Sequence, residues 1–134
     1  MKLVDKIQII PRRLLLDDRG WFLKVITGKE DGLPPYTGEV YLTMGKPGQV
    51  KGEHYHPIAN EWFTVIAGES KLIVEDVETK ERLELLLCFD DAKTIMIPHG
   101  IAHAFMNTGN QELVVIAYTD QLYVPQDTIA YKLV

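Results

Sequence analysis

Apolar residues in this chain recur at every second position, in short runs cut by glycine and proline, and that period points to β-structure. Residues 39–44 and 71–77 set polar side chains against apolar ones in alternation. Residues 61–67, 94–97 and 112–119 are short runs rich in valine, isoleucine and aromatic residues. Between them fall Gly45-Lys46-Pro47-Gly48, Gly68-Glu69-Ser70, Pro98-His99-Gly100 and Asn107-Thr108-Gly109-Asn110, the residue types that turns demand. Residues 80–87 offer a helix-like stretch, but Leu83, Leu85 and Leu87 alternate, which suits a strand at least as well. Many short strands with regular punctuation predict an all-β sandwich or barrel.

Size and charge set the bounds on what such a barrel does. The 134 residues make one domain, 1–134, with no linker or repeat, and 46% hydrophobic against 25% charged residues is an ordinary globular balance. A net charge of −5 argues against a broad nucleic-acid or anionic-membrane face and leaves room only for a local phosphate-binding patch. The apolar run at 113–118 is far short of the roughly 18 residues that span a bilayer. Lys2, Asp5 and Lys6 interrupt the N-terminus where a signal peptide would be apolar. The single Cys88 has no internal disulfide partner, which fits a reducing, cytoplasmic setting. No membrane and no nucleic acid are expected as partners.

Three of the four histidines form a pattern with a glutamate. His54 and His56 are two apart, so on a strand their side chains leave one face with Cβ atoms about 6–7 Å apart. Glu61 opens the next strand after Pro57-Ile58-Ala59-Asn60, where a carboxylate can fold back beside them, and His103 closes the set from a distant strand. Three imidazole nitrogens and a carboxylate oxygen suit a divalent transition metal, with Zn, Fe, Mn, Co, Ni and Cu all eligible. A His-x-His pair alone is more often two surface residues, and only the whole spacing carries weight. His99, between Pro98 and Gly100, reads as an exposed turn residue.

That spacing is Gly-x5-His-x-His-x4-Glu-x6-Gly over residues 48–68, then Pro-x-Gly-x2-His-x3-Asn over 98–107. It resembles the two-part signature of the cupin superfamily. The resemblance implies a double-stranded β-helix, or jelly roll, with metal motifs at 48–68 and 92–107 and His54, His56, Glu61 and His103 as ligands. The glycine that usually opens the second motif is Ala92 here, and Asn107 takes a structural role at the end of a strand.

Further segments narrow the likeness. Asp18-Arg19-Gly20-Trp21-Phe22, Lys51-Gly52-Glu53-His54-Tyr55, the run from Ile97 to Phe105, and Tyr123-Val124-Pro125 resemble segments of dTDP-4-dehydrorhamnose 3,5-epimerases. Those enzymes have His-x-Gln where this chain has His54-x-His56, a lysine where Glu61 stands, an arginine at Lys51 and a glutamate at Lys24. They work without a metal, with the first histidine as base. The run from Lys46 to His56 is similar to that of C-terminal cupin domains in capsular-polysaccharide enzymes, which carry a glutamate ligand and zinc. The resemblance implies C3 epimerisation of a nucleotide-linked 4-keto sugar, with one divalent metal, zinc favoured over Fe, Mn, Ni or Co. It implies Tyr123 as general acid and Arg19 and Lys51 on the diphosphate. Tyr55, Trp62 and Phe105 are expected to line the barrel mouth, and Trp21 or Phe22 to stack on base or sugar. No free general base is named if His54 ligates. A sugar nucleotide is the expected small-molecule substrate. The apolar N-terminal arm within residues 1–30 (Ile7, Ile9, Ile10 and Leu14 to Leu16) predicts a homodimer by strand exchange. A metal-dependent oxygenase and a non-catalytic sugar- or ligand-binding cupin are the alternative readings.

Overall fold

The computed structural model describes residues 1–36 and 38–134, and in it the two-residue period becomes twelve strands. After a single helical turn, α1 (Leu3–Lys6), come β1 (Gln8–Pro11), β2 (Leu14–Asp17), β3 (Gly20–Leu23) and β4 (Glu39–Gly45). Next are β5 (Val50–Tyr55), β6 (Glu61–Ala67), β7 (Glu69–Asp76) and β8 (Arg82–Cys88). The last are β9 (Lys93–Ile97), β10 (Ile101–Asn107), β11 (Leu113–Thr119) and β12 (Ile129–Ala130). One sheet has the order β1-β9-β6-β11-β4 and the other β12-β5-β10-β7-β8, with β2 and β3 as a separate hairpin. All these pairings are antiparallel. The ambiguous stretch 80–87 is strand β8 from Arg82 onward.

The core lies between the two sheets because alternate residues point there. On β11, Leu113, Val115 and Ala117 are buried while Val114, Ile116 and Tyr118 are less so. They meet Phe63, Val65, Ile95 and Ile97 of their own sheet and Leu72, Val74 and Phe105 of the facing one. Each such side chain contributes about 1.5–3 kcal/mol by leaving water. Ala92, in the place of the motif's glycine, has φ −61° and ψ 130°, an extended conformation in which a Cβ costs nothing.

Strand β6 is buried on both faces, so its outer residues Trp62 and Thr64 need a cover. Val25 and Ile26 supply it, lying across a small cavity from Trp62. The segment is held by a polar clamp. Arg12 donates from Nη2 to Glu30 Oε2 at 2.6 Å and from Nε to Thr94 Oγ1 at 2.8 Å, and Thr94 donates to the Val25 carbonyl at 3.0 Å. Both partners of the ion pair are largely withdrawn from water. Arg12→Ala would leave Glu30 buried and unpaired, so we expect a loss of about 3 kcal/mol by urea denaturation. Burial acts to raise the Glu30 pKa, but hydrogen bonds from Arg12 and Thr27 outweigh it and bring the group from 4.5 down to about 2. A depressed carboxyl pKa stabilises the fold above the unfolded value. That contribution should therefore fade as pH falls from about 4.5 toward 2, and Arg12→Ala should flatten this part of the stability profile.

The N-terminal segment departs in part from the strand-exchange expectation. Strand β1 pairs with β9 of its own barrel, and Leu3 and Ile7 are buried in the core beside it. A second copy is not needed to cover those residues. The following hairpin does expose apolar side chains, with Leu16 73% and Trp21 54% accessible. Strand β4 also exposes its apolar side. Val40 and Leu42 are 58% and 63% accessible, while Tyr41 and Thr43 sit opposite the buried Ala117 and Val115. Among the described residues, no helix is long and apolar enough to cross a membrane.

Candidate metal centre

His54 and His103 are cross-strand partners on β5 and β10, with ring centroids 5.0 Å apart. A bulge in β5 makes that pairing: the register shifts between His103 and Ala104, where Gly52 has φ +96° and Glu53 φ +62°. A Cβ on Gly52 would stand 2.9 Å from the His103 carbonyl oxygen, so only glycine fits beside the histidine strand. His56 follows at the end of β5, its ring 5.0 Å from that of His54 and 5.6 Å from that of His103. The donor atoms of the three histidines lie within 4.8 Å of one another. Glu61, first residue of β6, brings its Oε1 to 2.7 Å from His56 Nε2 and 3.6 Å from His103 Nε2.

Tautomers decide what this cluster can hold. His56 Nδ1 is 2.7 Å from the Asp127 carbonyl oxygen, and His103 Nδ1 is 3.2 Å from that of Ile101. A carbonyl can only accept, so each Nδ1 carries the proton and each Nε2 of the neutral ring turns a lone pair inward. Glu61 Oε2 accepts from the Tyr41 hydroxyl at 2.8 Å, leaving Oε1 facing the same point. His56 Nε2, His103 Nε2 and Glu61 Oε1 are buried without an aligned hydrogen-bond partner. Three converging lone pairs repel unless a proton or a metal cation stands among them. Donors held about 2.0–2.2 Å from one ion are about 3.0–3.5 Å from each other, a range that the 2.7 and 3.6 Å separations of Glu61 Oε1 from His56 and His103 bracket, so the residues fit a divalent transition metal.

The electrostatics set His56 apart from the other two rings. Burial, reinforced by the neighbouring histidines and opposed by Glu61, pushes the His103 pKa down to about 4. Burial and His56 likewise lower that of His54. For His56 burial also acts downward, but the Glu61 carboxylate and the Asp127 carbonyl outweigh it and the net shift is upward. Glu61 is held below its ordinary value because His56, His103 and Tyr41 overcome its own burial.

The cluster opens into a cavity of about 320 Å³ whose walls include Glu39, Tyr41, His54, Glu61, Tyr123 and Asp127. Tyr123 thus stands at the mouth, 64% accessible. The other expected contacts lie elsewhere. Tyr55 and Trp62 follow His54 and Glu61 by one residue, so the strand period sends them to the outer faces, onto Tyr131 and Tyr118. Phe105 points inward as His103 does, but two residues deeper, where it is buried against Phe63. The expectation that these three line the mouth is corrected accordingly. Lys51 pairs with Phe105, lies against Gly45 and is not in the cavity wall. Arg19 is on the exposed β2–β3 hairpin, 2.6 Å from Asp17, away from the cavity of its own chain. His99 is an exposed turn residue, and Asn107 binds the carbonyls of Gly45 and Gln111 in a structural role.

Residues 15–131 match the family model described as the polysaccharide biosynthesis C-terminal domain. The chain is 25% identical over 128 residues to the spore coat polysaccharide biosynthesis protein SpsL of Bacillus subtilis (strain 168), covering 92% of this chain and 84% of that protein. Among solved structures it is similar to the capsular polysaccharide assembling protein CapF of Staphylococcus aureus, with 30% identity and a TM-score of 0.69. That match covers 92% of this chain but 35% of CapF, so the chain spans about a third of that protein's length. The dTDP-6-deoxy-D-glucose-3,5-epimerase RmlC of Legionella pneumophila Philadelphia 1 aligns with a TM-score of 0.83 over 96% of this chain and 74% of its own, at 19% identity. The fold is the cupin jelly roll.

Proposed function

Because the chain belongs to the polysaccharide biosynthesis C-terminal domain family, we propose that it epimerises a nucleotide-linked 4-keto sugar at C3, with a divalent metal, zinc favoured, held by His54, His56, Glu61 and His103. One observation carries this reading: a single cavity, large enough for a monosaccharide, is lined both by His54, His56 and Glu61 of the ligand cluster and by Tyr123. The RmlC likeness supports it by the 3,5-epimerase activity in that protein's name, and the CapF likeness by a place in capsular polysaccharide assembly. When bound, the metal supplies Lewis-acid polarisation of a ketone oxygen, which acidifies the adjacent C–H.

The chain's own residues do the rest. Tyr41 fixes Glu61 through its hydroxyl, and the two backbone carbonyls hold His56 and His103 with their lone pairs inward. Glu39, which lines the same cavity, takes the proton from C3, and the electron pair passes into the enolate. Tyr123 donates its phenolic proton to C3 from the other face and recovers one from solvent. Arg19 serves the diphosphate only if the hairpin of a second copy reaches the cavity. The exposed apolar residues of that hairpin and of β4 support a homodimer. Light scattering should then give twice 15.2 kDa at micromolar concentration, and a 15.2 kDa particle would refute the dimer.

Elemental analysis of the purified protein, followed by incubation with UDP- and dTDP-4-keto sugars in D2O, tests the reading. We expect one equivalent of a divalent transition metal, deuterium entering at C3 and the C3 epimer accumulating. Tight sugar-nucleotide binding without exchange would favour the binding module instead. Iron-dependent oxygen consumption would favour an oxygenase.

A further inference from the structure

Asp127 occupies a position that neither the ligand spacing nor the proton-transfer scheme uses. It closes a short 3-10 turn, Pro125–Asp127, placed between Tyr123 and strand β12, and is only 6% accessible. Its backbone carbonyl receives His56 Nδ1–H at 2.7 Å. Its carboxylate reaches the other way, accepting from the Ile58 amide at 2.7 Å and the Ala59 amide at 3.0 Å. One buried residue therefore grips both the ring of His56 and the backbone just after it. It also anchors the wall that carries Tyr123, since Asp127 N donates to the Val124 carbonyl at 3.0 Å.

Burying a carboxylate is costly unless its oxygens are satisfied, and here two amides do that through charge-assisted hydrogen bonds. The chain behind His56 thus cannot move without either breaking those bonds or carrying Asp127 along. We propose that Asp127 is a positioning residue: it sets the tautomer and direction of His56 and ties the Tyr123 segment to the metal-ligand loop. The proposal rests on the metal-centre reading for its purpose, while the clasp itself stands on the hydrogen bonds. A partner of a ligating histidine of this kind is worth about 10–100-fold in metal affinity.

The fold supplies a matched control. Asp120 is 8% accessible and pins the same loop from the other side, with Oδ1 accepting from the Asn60 amide and Oδ2 from the Asn60 side chain, both at 2.9 Å. Its carboxylate binds Asn60 and not His56. Asp127→Asn turns one acceptor into an NH2 group that faces an amide N–H, so one half of the clasp opens. Asp120→Asn does comparable damage to the loop without releasing the ring.

Two measurements on the folded variants test the proposal. The first is long-range 1H–15N NMR of the metal-free proteins at alkaline pH, which reports the tautomer of His56. The second is titration with Zn2+ against a competing chelator. We expect wild type and Asp120→Asn to keep the Nδ1–H tautomer and to agree in zinc affinity within about threefold. Asp127→Asn should show mixed tautomers and an affinity lower by about 10–100-fold. Equal losses in both variants, an unchanged affinity in Asp127→Asn, or a loss there with the tautomer intact would overturn the proposal. If Asp127→Asn does not fold, Asp127→Ser, which keeps one acceptor, takes its place under the same criteria. A wild type that binds no zinc would sink the metal-centre reading, and the tautomer measurement would then decide the clasp alone.

Discussion

Replacing Tyr123 by Phe should lower epimerase turnover by about 10²–10⁴-fold while leaving KM within a few-fold. Phenylalanine keeps the ring that walls the cavity and removes only the hydroxyl. The phenolic O–H is a donor that phenylalanine lacks. Because proton removal is assigned to Glu39, Tyr123→Phe should still exchange the C3 proton with D2O, yet return the deuteron to the face it left. Exchange should therefore outlast epimer formation in this variant. An equal loss of both would assign Tyr123 to binding or to proton removal, and full activity would exclude it from the chemistry. Glu39→Gln is the complement, expected to suppress exchange and epimerisation together.

The parts of this site that were legible in the residues are those a local rule determines. One residue separates His54 from His56, and strand geometry does the rest. The punctuation before Glu61 and before Ile101 delimits the strands that bring Glu61 and His103 to them. What alternation does not reveal is which phase faces inward. On β4 the apolar Val40, Leu42 and Met44 face out, and Glu39, Tyr41 and Thr43 face in, the reverse of what hydrophobicity alone selects. Hydrophobicity therefore does not mark Tyr41 and Glu39 as site residues, and the strand's own period is the signal that places them. The same period, applied one residue beyond His54 and Glu61, excludes Tyr55 and Trp62 from the mouth. Asp127 is a different case. Its partners lie 68 to 71 positions away, and no spacing rule connects a turn near the C-terminus with the ring of His56. The N-terminal arm shows the limit of composition: Leu3 and Ile7 have the hydrophobicity of an interface, but their own barrel covers them.

His56→Gln should weaken zinc binding by on the order of 10²–10³-fold, about a quarter of what a four-ligand structural zinc site delivers in free energy. The change recreates the His-x-Gln pattern of the metal-free epimerases that this chain resembles, on a barrel that keeps Glu61. In the native cluster, His56 Nε2 and Glu61 Oε1 stand 2.7 Å apart with no aligned hydrogen bond, a contact that needs a proton or a metal cation between them. Glutamine can offer its amide N–H to Glu61 instead, which satisfies the carboxylate by a neutral donor and removes the need for the ion. The variant should therefore fold at least as well without metal as the metal-free wild type does, while losing the stabilisation that added zinc gives the wild type. Thermal unfolding with and without Zn2+ shows both effects in one experiment: a large zinc-dependent rise in Tm for wild type, and little or none for His56→Gln. An equal zinc response in the two proteins would remove His56 from the ligand set. With it would go the reason for three converging lone pairs in the wall of this cavity.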